Sequence, residues 1–304
     1  MNSEIDIDSL LIELKKFLEN KYASLKDNYH MLNVIKTLLV NDELETLNLK
    51  NRRVGNKGIE FIAEALQFNT SLTYLDLNYN EIDDEGAKSL AEALEVNSSL
   101  IDLDLGWNKI GVEGIKYIAE ALKKNTSLTK LDLSLNKIGV KGVKFFAEAL
   151  KVNSGLTELS LCNNKIGDVG AEYLAEALKK NSSLTKLDLS YNVIDTISAK
   201  YIAEVLEVNS YLTSLNLSEN NIHFKGAKVL AEALKKNSSL TELELHFNKI
   251  GVKGAEFFAE ALKVNSGLTQ LNLEFNHIRK SGKSFLAKAL QVNSILTSLD
   301  CNFY

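Results

Sequence analysis

The sequence predicts an α/β solenoid, a fold in which strand–helix units stack and bury their apolar faces against one another. A leucine recurs every 28 residues from Leu44 to Leu296, with no insertion or deletion. Around it one pattern repeats, for example LTKLDLSLNKIGVKGVKFFAEALKVNSG at 128–155. A fixed period of this length is typical of proteins in which each unit contacts only its neighbours. Function is therefore expected in the positions that vary between units.

The first half of each unit, L-x-x-L-x-L-x-x-N-x-I, predicts a short strand followed by a turn. The alternating leucines point into a core, and the residues between them face solvent. The asparagine that follows is expected to bond the backbone groups of neighbouring turns. Arg52 replaces it in the first unit. The asparagine is present in eight units, as Asn80, Asn108, Asn136, Asn164, Asn192, Asn220, Asn248 and Asn276.

The second half of each unit, G-x-x-x-(L/F)-A-E-A-L, predicts a helix. Its apolar residues at i, i+3 or i+4, and i+7 form one stripe. Alanine and the opening glycine fit positions where helix and neighbour approach closely. In the sixth unit Ser198 stands where the other units have that glycine.

Residues 1–43 depart from the period. Amphipathic patterns predict helices at Ser9–Asn20 and Met31–Val40. We interpret 1–43 as an N-terminal helical cap over the apolar edge of the first repeat, with a separate interaction helix as the alternative. Residues 44–304 then hold nine full repeats and a terminal strand.

This repeat resembles the leucine-rich repeat family, specifically the 28-residue, helix-bearing subtype seen in ribonuclease inhibitor and in the sensor regions of NOD-like receptors. The resemblance covers residues 44–304. It implies a right-handed arc with a parallel sheet on the concave face and helices on the convex face. Strand order should follow the sequence.

Composition limits the classes of partner and the compartment. The net charge of −5 disfavours nucleic acid and anionic membrane surfaces, which call for basic patches. No apolar run reaches the roughly 18 residues of a membrane span. The two cysteines, Cys162 and Cys301, occupy positions that point in different directions, so a disulfide is not expected. These features predict a reducing, cytoplasmic location.

The sequence offers no enzyme signature. The four histidines lie in different units without zinc-ligand spacing, and no unit has the Gly-Lys-Ser/Thr ending of a phosphate loop. The serines that follow the strands, such as Ser218, show no Ser–His–Asp pattern. We therefore predict no catalytic residue, no metal and no cofactor.

Two variable positions form candidate binding columns beside the strands. One carries acids on the predicted solvent face, and the other carries aromatic residues where the strand turns. The acids could receive lysine or arginine from a partner, and exposed aromatics often anchor interfaces. Alternatively, the acids are a common repeat feature offset by nearby lysines, and the rings only stack along the sheet edge. The candidate partner-binding residues are Asp76, Tyr79, Asp104, Trp107, Asp132, Asp188, Tyr191, Glu244, Phe247 and Phe275.

A third variable position, two residues after the aromatics, carries lysines in several units. They are Lys109, Lys137, Lys165 and Lys249. Three parallel stripes suit an extended peptide or a partner helix more than a small molecule. The sequence thus predicts a non-enzymatic, mostly monomeric module that binds a protein partner with basic and apolar groups. The alternative is a GTPase regulator, since Ran GTPase-activating protein resembles the same subtype. The small number of arginines disfavours it, because such regulators can complete the reaction site with an arginine.

Overall fold

A computed structural model describes residues 43–301 together with Val34, Thr37 and Leu38. The predicted helix at 9–20 lies outside the described residues. Of the predicted helix at 31–40, Val34, Thr37 and Leu38 are helical. The side chains of Val34 and Leu38 are buried in the hydrophobic core.

The strands of the described residues form one parallel sheet in chain order. Each strand pairs with the next so that residues one repeat apart are partners, for example Leu75 with Leu103. The strands are β1 (Thr46–Asn48), β2 (Tyr74–Asp76), β3 (Asp102–Asp104), β4 (Lys130–Asp132), β5 (Glu158–Ser160), β6 (Lys186–Asp188), β7 (Ser214–Asn216), β8 (Glu242–Glu244), β9 (Gln270–Asn272) and β10 (Ser298–Asp300).

One helix follows each of the first nine strands, and each strand–helix pair is numbered here as a unit. The helices of the described residues are α1 (Gly55–Leu66), α2 (Asp84–Leu94), α3 (Val112–Leu122), α4 (Gly139–Leu150), α5 (Gly167–Leu178), α6 (Thr196–Val208), α7 (Phe224–Leu234), α8 (Gly251–Leu262) and α9 (Arg279–Leu290).

The core lies between the sheet and the row of helices. The strand leucines and the apolar helix stripe are almost fully buried, and Phe146 and Phe258 are the largest side chains among them. Neighbouring strands are about 4.8 Å apart, whereas packed helices are about 8–10 Å apart. The sheet therefore lines the inner side of the curve. The predicted α/β solenoid is confirmed.

Buried asparagines hold successive units together. The side-chain amide of Asn80 donates to the Leu49 carbonyl oxygen over 2.8 Å. Its oxygen accepts the Arg52 and Val54 backbone N–H groups, each over 3.1 Å. A second row after the helices works the same way, and Asn97 donates to the Leu66 carbonyl oxygen over 2.8 Å. No buried side-chain nitrogen or oxygen of the described residues lacks a hydrogen-bond partner.

The turns that lead into the helices take two conformations. In units 1, 4, 5, 8 and 9 the turn residue is left-handed, as at Gly139 with φ +59°. In units 2, 3, 6 and 7 it is extended, as at Gly111 with φ −107°. In three of the extended turns, a side chain of the preceding unit accepts the N–H of the turn residue. For example, Asp84 Oδ1 accepts the Gly111 N–H over 2.6 Å. In the left-handed form the N–H turns to the following unit, where Gly139 donates to the Asn164 carbonyl oxygen over 2.9 Å.

The serine in the sixth unit fits the same arrangement. A Cβ atom at the equivalent Gly114 would lie 2.6 Å from Asp84 Oδ1 and 3.0 Å from Ala87 Cβ. At Ser198, which is fully buried, the hydroxyl donates to the Asp168 carboxylate of the preceding helix. The carboxylate therefore gives the larger side chain a hydrogen-bond partner in a close-packed place.

Candidate functional site

The candidate residues form two columns on one side of the solenoid. The acidic column consists of Asp76, Asp104, Asp132, Asp188 and Glu244, which end strands β2, β3, β4, β6 and β8. The first three are direct partners in the sheet register. The aromatic rim consists of Tyr79, Trp107, Tyr191, Phe247 and Phe275, three residues further along each chain segment.

The acidic column is less exposed than the alternation predicts. Asp104, Asp132, Asp188 and Glu244 are partly buried, and Asp76 is only 5% exposed. The prediction of a solvent-facing residue is therefore wrong for Asp76. Its carboxylate folds back onto its own turn, where Oδ1 accepts the Asn78 N–H over 2.9 Å.

That turn contact explains why an aspartate or asparagine recurs at this position. Asp104 Oδ1 accepts the Gly106 N–H over 2.8 Å, and Asp132 Oδ1 accepts the Ser134 N–H over 2.7 Å. Such a contact, two residues along the chain, is a common turn device of both side chains. Asn216 makes it equally well, over 3.0 Å to Ser218. The turn thus requires an oxygen acceptor but no charge, so the negative charge is the part that it leaves unexplained.

Asp104 of the acidic column carries its charge in an unfavourable environment. Burial, followed by the neighbouring Asp132 and Asp76 carboxylates, raises the pKa of Asp104, while the Gly106 N–H and the Asn78 amide lower it. Burial likewise raises the pKa of Asp102 on the same strand. These carboxylates have lost water without gaining a cationic partner that fully compensates them.

A shallow depression of about 420 Å³ lies over the central strands. Two lysines on its floor share one glutamate, since Lys130 and Lys186 lie 3.4 Å and 3.2 Å from Glu158. Oppositely charged side chains that face each other on adjacent strands attract one another in this way. The depression remains acidic, with Asp102, Asp132, Glu158, Asp188, Glu242 and Glu244 against Lys130 and Lys186.

Four rings of the aromatic rim are exposed to solvent, and the fifth, Phe275, is partly buried. The side chains of Tyr79, Trp107, Tyr191 and Phe247 are 53%, 53%, 50% and 45% exposed, respectively. Two pairs also touch: Tyr79 and Trp107 have ring centroids 5.8 Å apart, and Phe247 and Phe275 stack at 4.1 Å. The two sequence-based alternatives are therefore compatible, because stacked rings keep large open faces.

Every residue of the aromatic rim has a left-handed backbone. The φ angles are +59° at Tyr79, +53° at Trp107, +57° at Tyr191, +52° at Phe247 and +55° at Phe275. This conformation costs an ordinary residue about 1–2 kcal/mol, and glycine or asparagine adopts it most readily. The sequence reflects this preference for asparagine in units 1 and 5, where Asn51 and Asn163 occupy the same position. Sequence reasoning did not identify it.

A groove of about 510 Å³ opens beside the first aromatic pair. Tyr79, Trp107 and Leu135 provide apolar walls, and Asn163 lies on the far side. The ion pair between Lys109 Nζ and Glu81 Oε2, 2.8 Å long, borders it. A volume of this size is typical of sites that take a small ligand or the anchoring side chains of a peptide.

One cluster brings a serine, a histidine and a glutamate together, which the sequence analysis did not predict. Ser218 Oγ lies 2.8 Å from His246 Nδ1, and Glu244 Oε2 lies 3.3 Å from the same nitrogen. Ser218 lies one repeat before His246, so the strand register brings these two together, whereas Glu244 and His246 are two residues apart in one unit. In a hydrolase relay the acid and the serine use opposite ring nitrogens. Here they share one, and Ser218 is fully buried, so the cluster is not built for nucleophilic attack.

The described residues hold neither a metal-binding cluster nor a membrane-spanning helix. No group of three or more histidine, cysteine, aspartate or glutamate side chains within them is placed to hold a metal ion. Nor does any helix in this part of the chain combine the length and the apolar character that crossing a membrane requires.

Comparison with protein families gives one match, to a family described as Leucine Rich repeat. The matched segments together make up more than half of the chain. They are residues 68–91, 96–119, 124–147, 152–175, 180–203, 208–231 and 236–259. None of the curated proteins matches the chain in sequence.

Three of the solved structures to which the chain is similar are the following. A structure titled Leiomodin-1 Actin-Binding Site 2 is 30% identical, with a TM-score of 0.43, covering 48% of this chain and 87% of that one. The tropomodulin C-terminal domain from Caenorhabditis elegans is 20% identical, with a TM-score of 0.43, covering 50% and 93%. The leucine-rich repeat domain of APL1B is 17% identical, with a TM-score of 0.51, covering 91% and 69%. The last of these is similar in fold alone.

Proposed function

Because the chain belongs to the leucine-rich repeat family, we propose that it is a non-enzymatic module that binds a protein partner across its sheet and aromatic rim. Its 28-residue, helix-bearing units favour the subtype seen in ribonuclease inhibitor. We place it as a mostly monomeric protein in a reducing, cytoplasmic setting, in keeping with its two free cysteines.

The aromatic rim carries the proposal. Four of its rings are about half exposed to solvent, at positions where the left-handed backbone favours glycine or asparagine. Packing of the core does not require them, because leucines and isoleucines already fill it. A large ring that is exposed at a conformational cost is best explained by contact with a partner protein. Aromatic residues contribute much of the binding energy at protein interfaces.

The acidic column and the acidic depression supply long-range electrostatic attraction. Unpaired negative charge on a concave surface attracts a basic partner and accelerates its encounter. Close-range affinity then comes from the rings, which lose water when the partner covers them. The candidate contact residues are therefore Asp104, Trp107 and their equivalents in the other units, with Asp76 contributing charge and almost no contact area.

The test is a quantitative affinity purification with matched variants. Trp107→Ala removes a central anchor and is expected to weaken capture of a specific partner by about thirtyfold, which corresponds to about 2 kcal/mol. Phe68→Ala is the control, because Phe68 is also aromatic and 75% exposed. It lies between helix α1 and strand β2, before the strand, whereas the rim residues follow the strands. Both variants should keep the melting temperature of the wild type within a few degrees.

Two results would contradict the proposal. One is a set of captured proteins that responds to Trp107→Ala and Phe68→Ala alike. The other is a large drop in melting temperature for Trp107→Ala with unchanged capture, which would make the ring a structural element.

A further inference from the structure

A basic column runs along the outer side of the aromatic rim. In five units a base stands two residues after the rim position, and every such base is exposed. The rim residue is a ring in two of these units, before Lys109 and Lys249, and Val193, Asn221 and His277 take the position in units 6, 7 and 9. Glu81 is the one acid at this position among the described units. The members are Arg53, Lys109, Lys137, Lys165 and Lys249.

These bases are available to a partner. Lys109 pairs with Glu81, but the Lys109 side chain remains 52% exposed. Within the part of the chain that the structure describes, neither Lys137 nor Lys165 forms an ion pair. Lys109 also borders the groove formed by Tyr79 and Trp107, so base and ring share one surface.

The acidic column lies on the opposite side of the same rings. Gly106 directly precedes Trp107, and a Cβ atom on it would lie 3.0 Å from Asp104 Oδ1 and 3.5 Å from Asp132 Oδ1. Acid, ring and base thus follow one another across the surface. The full order occurs in unit 3, at Asp104, Trp107 and Lys109, and again in unit 8, at Glu244, Phe247 and Lys249. Between them, the strand register aligns the acids and bases of the other units with these two rows.

We propose that this surface takes an amphipathic helix whose apolar stripe has basic residues on one flank and acidic residues on the other. This inference rests on the proposed function and names the partner's chemistry. Basic side chains would lie over the acidic column, acidic side chains over the basic column, and the apolar stripe over the rings.

The geometry favours a helix over an extended peptide. Alternate side chains of an extended chain point away from the surface, so it presents a single row. A helix presents several adjacent rows at i, i+3, i+4 and i+7, and is about 10–12 Å wide. It can therefore meet three parallel columns at once. Moreover, the inner strands of the sheet already pair on both sides, which leaves them no free edge for an added strand.

The length of the rim gives an approximate length for the partner segment. Trp107 and Phe247 lie five strands apart in the sheet. At about 4.8 Å per strand that distance is roughly 24 Å. A helix spans it with about 16 residues at 1.5 Å per residue. One helix of ordinary length thus reaches both aromatic pairs.

The experiment uses three synthetic helical peptides of about 18 residues with an identical apolar stripe. The mixed peptide carries lysines on one flank and glutamates on the other, the second carries lysines on both, and the third glutamates on both. Binding is measured by fluorescence anisotropy at about 0.15 M salt, where surface charges are partly screened. We expect the mixed peptide to bind at least tenfold more tightly than either of the others.

A charge-reversal variant tests the role of the basic column. Lys109→Glu/Lys137→Glu/Lys165→Glu should reverse the order, so that the all-lysine peptide binds most tightly. The control is Lys141→Glu/Lys200→Glu/Lys225→Glu, which changes the net charge equally at exposed lysines on the helices. It should leave the order unchanged, and circular dichroism should show that both variants fold.

The inference is overturned if the all-lysine peptide binds the wild type as tightly as the mixed one, if no peptide binds, or if the control also reverses the order. These failures differ from failure of the proposed function. If Trp107→Ala still abolishes capture of a natural protein, the binding surface stands and only the partner's charge pattern is wrong.

Discussion

Residues of the aromatic rim combine a large exposed side chain with a backbone that suits glycine. Trp107 illustrates the conflict, with φ +53° and half of its surface in solvent. The position tolerates asparagine and leucine in other units, at Asn163 and Leu135. The turn therefore does not need the ring. Replacing it by glycine or alanine measures how much the left-handed backbone costs in free energy of unfolding.

We predict that Trp107→Gly is more stable than Trp107→Ala by about 0.5–1 kcal/mol. Both variants lose the ring, but only alanine pays the cost of a left-handed conformation, about 1–2 kcal/mol. The greater freedom of glycine in the unfolded chain offsets part of this difference. The free energies of unfolding come from urea denaturation.

Tyr117 in helix α3 provides the matched control. It is also an exposed aromatic residue, 40% exposed, but its backbone is helical. There Tyr117→Gly should be less stable than Tyr117→Ala by about 1 kcal/mol. The same order at both positions would show that the rim backbone is not under strain.

Asp104 is a second residue that works against stability. Asn216 and Asn272 make the same turn contact without a charge. Burial holds the pKa of Asp104 above its ordinary value. The folded state therefore binds a proton more tightly than the unfolded chain, and stability falls as the pH rises from the ordinary aspartate pKa of about 4 through the raised value.

Asp104→Asn should accordingly raise the urea midpoint at pH 7, and the gain should shrink as the pH is lowered toward 4. Unfolding curves at pH 7, 5.5 and 4 measure this. Asp300→Asn is the control, since the Asp300 side chain at the end of β10 is exposed. An Asp104→Asn variant that is less stable than the wild type at pH 7 would refute the argument.

At the scale of elements, the strands and helices could be predicted because one hydrophobic period specifies them ten times over. The two turn conformations could not, because they depend on a contact between units. In three of the four extended turns, a residue at the start of the preceding helix accepts the turn N–H. Asp84 and Asp168 precede such turns, whereas Val112 and Val140 precede left-handed ones. The extended turn at His223 follows Thr196 without this bond. Only a comparison of residues one repeat apart reveals this dependence.

We predict that Asp84→Val costs little stability, whereas Asp168→Val costs at least about 1 kcal/mol more. Without Asp84, Gly111 can take the left-handed form that glycines adopt in units 4 and 5. Without Asp168, the turn residue is Asp195, for which that form carries a cost. The Asp168 variant also leaves the buried Ser198 hydroxyl without its acceptor.

Urea denaturation of the two variants gives the difference, and the backbone chemical shifts of Gly111 report its conformation. Equal losses of stability, or a Gly111 that stays extended in Asp84→Val, would show that the preceding unit does not control the turn.

At the scale of the molecule, the position of the candidate site could be predicted but its character only in part. Counting residues along the repeat was enough to place the acidic column and the aromatic rim on one face. It could not show that Asp76 is buried, that Glu158 is shared by two lysines, or that Ser218 meets His246. Each of these depends on side-chain packing, hydrogen bonds and ion pairs between neighbouring residues, which the repeat pattern does not specify.

The N-terminal region belongs to the same scale. We propose that residues 1–43 form a cap, because Val34 and Leu38 reach the hydrophobic core. Asn69 also donates to the Leu38 carbonyl oxygen over 2.8 Å, just as later asparagines bond the preceding helix.

The order of the turn conformations repeats along the chain. Two extended turns followed by two left-handed ones occur in units 2–5 and again in units 6–9. The segments 128–155 and 240–267, four units apart, also agree at most positions. The turn conformations therefore repeat with a period of four units. The rim position differs over the same period, since Leu135 and Asn163 in one set correspond to Phe247 and Phe275 in the other. Units with the same turn conformation thus carry different side chains at the rim, which shows that the backbone of the turn does not fix the side chain beside it.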